Sequence, residues 1–193
     1  MARVSKSIDE IKEEIMRACI VLFNEKGLKF TMDDVAGYCH ISKKTMYVVY
    51  SDKEALFLAV VDYLFDGIKE SEREVMRDKN LTTLEKIRKI LGVMPESYRE
   101  LDFGKMYILK DKYPAIYEKV EKRLETGWET TIELMEQGIK EGVLKPVDIS
   151  IVKLMFESAL EQFFRRDVFS KTPLSYREAL DQVVDIILEG IKK

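Results

Sequence analysis

Apolar residues return three and four positions apart along almost the whole chain, and no strand-like alternation survives more than a few residues. Ile8, Ile11, Ile15, Ala18–Cys19 and Leu22–Phe23 form the first such stripe, and Gly27 stands where a helix C-cap belongs. Helix starts then crowd together. Thr31, with Asp33 and Asp34 behind it, predicts an N-cap with acids in the first turn of a short helix reaching about Cys39. Only His40 and Ile41 intervene before Ser42, which caps a third helix through Val48 or Val49. Ser51 and Glu54 then spell a capping box opening a long helix through Leu56, Val60, Leu64 and Ile68. A chain so patterned is all-α. Its 4 prolines and 9 glycines are too few for a turn-dense β-sandwich.

The remaining residues are spaced more loosely. Thr82 and Glu85 predict a capping box before Leu84, Ile87, Leu91 and Met94, with Pro95 kinking or ending that helix. Residues 103–112 predict a short helix closed by Tyr113-Pro114. Ile116, Val120, Leu124, Trp128, Thr131–Ile132, Met135 and Ile139 make one long stripe, ended by Glu141-Gly142 and Pro146. Asp148 caps the next helix, through Phe163–Phe164, and the last begins near Pro173 or Ser175 and runs to Ile191. No internal repeat or Gly/Ser-rich linker occurs, so the long fourth helix must join the two halves directly.

Composition removes several classes of function. With 46% hydrophobic and 35% charged residues the chain is neither disordered nor membrane-spanning. The longest apolar run, Ala55 to Val61, stops at Asp62, well short of the ~18–20 residues a bilayer requires. Met1 to Glu14 is charged throughout and lacks the apolar region of a secretory signal, so a cytoplasmic protein is expected. Cys19 and Cys39 both fall on apolar stripes and read as small buried side chains. His40 is the single histidine, with no second imidazole to help hold a metal. No nucleophile–base pair or glycine-rich phosphate loop appears, so neither an enzyme nor a cofactor is expected. The net charge is −3, yet residues 1–56 carry nine basic and nine acidic side chains and are neutral. Any nucleic-acid site must therefore be a local patch.

Two short helices on a tight turn, with a third helix packed behind, make a helix-turn-helix. Its recognition helix would be Ser42 to Val49, with Lys43, Lys44 and Thr45 toward the major groove and Lys53 as a phosphate anchor. A lysine at the start of a helix opposes the dipole, so something other than helix stability must explain Lys53. Residues 15–56 carry a wider constellation: Ile15, Ala18-Cys19, Leu22-Phe23, Gly27, Thr31, Val35-Ala36, Ile41 to Tyr47, and Tyr50-Ser51-Asp52-Lys53-Glu54-Ala55-Leu56. This resembles the DNA-binding domain of TetR-family transcriptional regulators. The resemblance implies about nine helices, a homodimer, a pseudo-palindromic operator in double-stranded DNA, and a divergent C-terminal domain with an effector pocket. Residues 1–52 would then be the helix-turn-helix domain and 53–193 the effector-binding and dimerisation domain. Thr31, Ser42, Lys43, Lys44, Thr45, Tyr47, Tyr50 and Lys53 are the candidate DNA-binding residues. Glu141 to Asp148 resembles the turn often found before the family's eighth helix.

The chain departs from the family pattern at several places. Cys39-His40 replaces a usual Ala-Gly, which puts a histidine where a left-handed backbone is needed. Lys44 replaces a small residue and adds a phosphate or guanine contact. Val49 removes an expected polar contact. Tyr50 stands for a usual phenylalanine and either plugs the small core or turns its hydroxyl to DNA.

The C-terminal half is rich in aromatic residues and methionine. Tyr98, Phe103, Met106, Tyr107, Trp128, Met135 and Phe156 are the candidate pocket walls, suited to a small apolar or aromatic, largely uncharged effector. Segments 149–169 and 174–191 carry apolar faces wider than one small bundle covers, which predicts the dimer interface. The fourth helix, free of proline to about Val75, can act as a lever. The function expected is a repressor released from its operator by a ligand. The alternative is a DNA-binding dimer of the same family controlled by a protein partner, or constitutive.

Overall fold

A computed structural model of the chain describes residues 6–95, 98, 101, 105, 108–166, 168–169 and 171–193. The described residues are α-helical, with one isolated β-bridge between Leu144 and Lys192. α1 runs Ile8–Lys26, α2 Met32–Tyr38, α3 Lys43–Val49 and α4 Lys53–Arg77. α5 follows at Thr83–Leu91, α6 at Leu109–Lys112, α7 at Pro114–Glu125, α8 at Glu129–Lys140, α9 at Ile149–Arg165 and α10 at Tyr176–Ile191.

Most helix starts lie where local chemistry places them. Thr31 and Asp34 close a reciprocal box: the Asp34 amide donates to Thr31 Oγ1 at 3.1 Å and the Thr31 amide to Asp34 Oδ2 at 2.7 Å. Ser42, Thr82, Asp148 and Ser175 cap α3, α5, α9 and α10. Each cap satisfies an N–H that has no partner within the helix, about 1 kcal/mol apiece.

Four expectations are corrected. The N-cap of α4 is Asp52, which accepts from the Ala55 amide at 2.8 Å; Ser51 only donates to that carboxylate. α5 ends at Leu91 and is capped by Gly92, whose amide donates to the Arg88 carbonyl, three residues before Pro95 can act. The single stripe from Ile116 to Ile139 is two helices, broken at Thr126-Gly127 where Gly127 takes φ 79°. Within 103–112 the described helix is only Leu109–Lys112.

Two apolar cores meet along the middle of the bundle. The first joins Ile15, Cys19, Phe23, Val35 and Met46 to Leu56, Val60 and Leu64 of α4 and to Ile116 and Val120 of α7. Burial pushes the Cys19 thiol up to about 12, so it is an inert core residue. The second core gathers Ile87 and Ile90 of α5, Leu134 and Met135 of α8, Phe156 and Leu160 of α9, and Leu180, Val184 and Ile187 of α10. α4 touches both, its first half in one core and Val75 against the other. At ~1.5 Å per residue it spans about 37 Å. Ion pairs bind it to α7 midway: Lys119 to Asp62 at 2.5 Å, and Arg123 to Asp66 at 2.8 Å.

Candidate nucleic-acid interface and inner cavity

α2, the turn and α3 form a rigid corner. The Ile41 amide returns to the Ala36 carbonyl at 3.0 Å, and His40 adopts φ 53° between them. A left-handed histidine costs on the order of 1 kcal/mol, so the turn keeps the geometry normally given to glycine despite the substitution. α3 is held from below by Met46, which is fully buried, while Thr45 and Val49 are half-buried. Lys44, Tyr47 and Val48 form the opposite, exposed face, and Ser42 and Lys43 are exposed at the helix start. Lys44 extends to solvent with no ion pair among the described residues. Lys43 is bound by Asp33 from the first turn of α2, an ion pair that raises the lysine's pKa.

Tyr50 is half-buried against the first core and its hydroxyl pKa is raised by that burial, so its ring plugs the small domain. Lys53, expected to anchor a phosphate, is engaged inside the protein when no DNA is bound. Its Nζ donates to the Leu28 carbonyl at 2.9 Å and the Phe30 carbonyl at 2.5 Å, and lies 3.6 Å from the centroid of the Phe30 ring. Those carbonyls close the short 3-10 turn Gly27–Lys29 and have no helical acceptor role to fill. This internal job, and not helix stability, explains a lysine at the dipole's wrong end. Thr31 caps α2 at the corner's edge and is exposed.

Val48 was not among the sequence candidates, yet it is 74% exposed, beside Lys44 and Tyr47. An exposed apolar side chain has the chemistry to meet a thymine methyl. The helical spacing carries that signal: with Met46 inward, positions 44, 47 and 48 share the other face, and Lys43 is exposed as the first residue of the helix. Asp33 works against this face. Asp33→Asn should raise affinity for operator DNA about two- to fivefold per half-site, since an exposed pair holds Lys43 by ~1 kcal/mol at most. Fluorescence anisotropy on a labelled duplex measures it; unchanged or weaker binding removes Lys43 from the interface.

A second feature lies between α4, α7, α8, α9 and α10: a cavity of about 100 Å³. Tyr98, Trp128 and Phe156 from the expected walls line it, with Phe65 and Tyr176 beside them. Met135 is buried elsewhere, in the second core, and does not reach it. Phe103, Met106 and Tyr107 lie outside the described residues. The wall is not uniformly apolar: Lys69, Glu72 and Arg123 contribute to it, and Glu72 is only 8% exposed.

Known proteins agree with this architecture. Residues 15–60 match the family model "Bacterial regulatory proteins, tetR family". The chain is 25% identical over 179 residues to YvaF of Bacillus subtilis, an uncharacterized HTH-type transcriptional regulator, covering 93% of this chain and 94% of that one. It is 29% identical over 152 residues to YhgD of the same organism, described in the same terms, covering 74% and 75%. Among solved structures, a TetR transcription regulator from Haloarcula marismortui superposes with TM-score 0.70 at 21% identity, covering 96% of this chain and all of that one. The ketosteroid transcriptional regulator KstR2 of Mycobacterium tuberculosis superposes with TM-score 0.57 at 19% identity, covering 99% and 100%. These last two likenesses concern the fold.

Proposed function

We propose, from the premise that the chain belongs to the TetR family of bacterial transcriptional regulators, that it is a homodimeric repressor released from its operator by a small ligand. The family consists of DNA-binding regulators, not enzymes. The observation that carries the DNA-binding assignment is the outward face of α3, where Ser42, Lys43, Lys44, Tyr47 and Val48 are exposed around a helix anchored by one buried methionine. Residues 1–52 read the operator and 53–193 bind effector and partner. Thr45 and Ser42 fix the helix start, their side-chain oxygens 2.8 Å apart. Lys43 and Lys44 meet phosphate or guanine, and Tyr47 and Val48 meet phosphate or a thymine methyl.

Dimerisation is supported by a stripe of exposed apolar residues, Ile151, Leu154 and Met155 on α9 and Ile186 on α10, each more than half exposed. Such a stripe on the outer side of an α9–α10 pair marks an interface. Release is supported by the cavity. At about 100 Å³ it is below the ~300–1,000 Å³ of ligand pockets, so an occupant must move its walls. One wall is α4, which begins three residues after Tyr50, the C-cap of the recognition helix. Two half-sites ~34–36 Å apart tolerate little change in lever angle. A coupling of ~1–3 kcal/mol, equal in both directions, is expected. The same cavity favours this reading over a constitutive or protein-controlled dimer. No helix among the described residues is long and apolar enough to cross a membrane.

Selection of bound fragments from the source genome tests the assignment. It should return pseudo-palindromes with half-sites one or more helical turns apart, and random sequence would overturn it. On a selected operator, Lys44→Ala should flatten the slope of log affinity against log salt by about one unit per subunit. If Lys44 reads guanine, the loss should instead be ~1–3 kcal/mol per half-site and confined to one base pair. No change in either quantity excludes Lys44 from the contact.

A further inference from the structure

The inner cavity has a polar end that is also its door. Lys69 and Glu72, one turn apart on α4, form an ion pair at 2.7 Å, and Lys69 Nζ donates as well to the carbonyl of Gly127 in the α7–α8 break. All three residues line the cavity on one side and a surface groove of about 570 Å³ between α4 and α8 on the other. The ammonium of Lys69 is therefore the partition between them. Gly127 is needed for that approach: a Cβ there would lie 2.8 Å from Lys69 Cε, and φ 79° disfavours any side chain.

The two partners are unequal. The side chain of Glu72 is 10% exposed and that of Lys69 34%. Lys69 can swing into the groove and be hydrated, whereas Glu72 cannot follow it. A buried carboxylate left without a cation costs far more than a solvated lysine.

We propose that the effector is an organic ammonium with an aromatic or apolar body, which displaces Lys69 and takes its place between the Glu72 carboxylate and the Gly127 carbonyl. The proposal rests on the cavity being the effector site. One ammonium replaces another, so both acceptors stay satisfied throughout. The body then lies among Phe65, Tyr98, Trp128, Phe156 and Tyr176, whose ring faces favour a neighbouring cation. An anionic ligand fares worse. It would lie beside Glu72, and the cations on this wall are committed, Lys69 to Glu72 and Arg123 to Asp62 and Asp66. A neutral ligand has no reason to open the latch and is confined to the smaller volume. The groove also favours a cation: Arg73 and Arg77 on its α4 wall both turn to Glu70, while Glu129 and Glu133 form the α8 wall.

The test uses the full chain and three probes of matched shape: 2-phenylethylamine, 2-phenylethanol and 3-phenylpropanoate. Binding is followed by Trp128 fluorescence and thermal shift, and operator release by anisotropy. The amine should bind at least tenfold more tightly than either analogue. Glu72→Gln should remove that preference, bringing the amine to the affinity of the alcohol. Lys69→Ala removes the internal competitor, so it should bind the amine at least threefold more tightly and gain the larger thermal shift from it, which keeps the test valid if Glu72→Gln misfolds. Tighter binding of the carboxylate, a preference that survives in Glu72→Gln, or no amine binding at ten millimolar would each overturn the proposal. If the alcohol releases DNA equally well from both proteins, the effector reading stands and the ammonium assignment falls. If the amine binds through Glu72 without releasing DNA, the ammonium site stands and the effector reading falls.

Discussion

Replacing Leu154 by glutamate is expected to convert the protein to a monomer at micromolar concentration and to lower operator affinity at least 100-fold. Leu154 is 57% exposed, between Ile151 and Met155 on α9, and the proposed two-fold axis brings each residue of this stripe against its own symmetry mate or a near neighbour. One substitution therefore introduces two carboxylates into a closed apolar contact, where like charges cost several kcal/mol. The effect on DNA is larger than any single contact could cause. Residues 1–56, which hold the helix-turn-helix, are neutral overall, so one recognition helix has little long-range attraction to rely on. Joining two of them makes the second contact intramolecular, at an effective concentration that raises affinity ~10²–10⁴-fold. Light scattering and anisotropy on the same sample check the prediction, with helical circular dichroism as the control for folding. A Leu154→Glu protein that stays dimeric and binds normally would place the interface on another face.

The fold is legible to the extent that its signals are local. Gly27, Thr31, Ser42 and Thr82 mark helix ends because each satisfies a backbone group three or four residues away, a relation the sequence states directly. Ser51 and Asp52 show the limit. Both are good caps and they are adjacent, so only the fold decides that Asp52 takes the position and Ser51 supports it. The break at Gly127 is hidden for a different reason. Leu124, Trp128 and Thr131 continue the apolar rhythm across it, so one glycine is the only mark of a turn whose side walls the cavity.

The site divides in the same way. Lys44 and Tyr47 are exposed because Met46 must be buried, and helical spacing alone separates them, while Lys43 is exposed as the first residue of α3. Tyr50 depends on a core assembled from α1 and α4, which no window of a dozen residues contains. Glu72 continues the series Leu56, Val60, Leu64, Ile68 at four-residue spacing, which places a carboxylate on the buried side of α4. A charge on an apolar stripe is the rarer observation and the more informative one.

Lys53→Met is expected to lower the free energy of unfolding by about 1.5–3 kcal/mol, more than the loss of an ordinary surface lysine. Methionine keeps the apolar stem but abandons two carbonyl acceptors, those of Leu28 and Phe30, and the cation–π contact with the Phe30 ring. The bonds span 25 and 23 residues, so they fasten the start of α4 to the end of the 3-10 turn before α2. Burial lowers the pKa of this lysine, with the Lys112 charge as the next cause, yet the ammonium is retained for its acceptors. At this chain length each kcal/mol shifts the melting temperature by ~2–4 °C, so a thermal scan resolves the effect. DNA binding separates the two roles a lysine here can have. If Lys53 acts only from inside, Lys53→Met weakens binding through a loosened corner while the salt slope stays that of the parent protein. If it also swings out to a phosphate, the slope falls by about one unit per subunit. A melting temperature equal to that of the parent, together with a reduced slope, would make Lys53 a phosphate contact and remove its structural role.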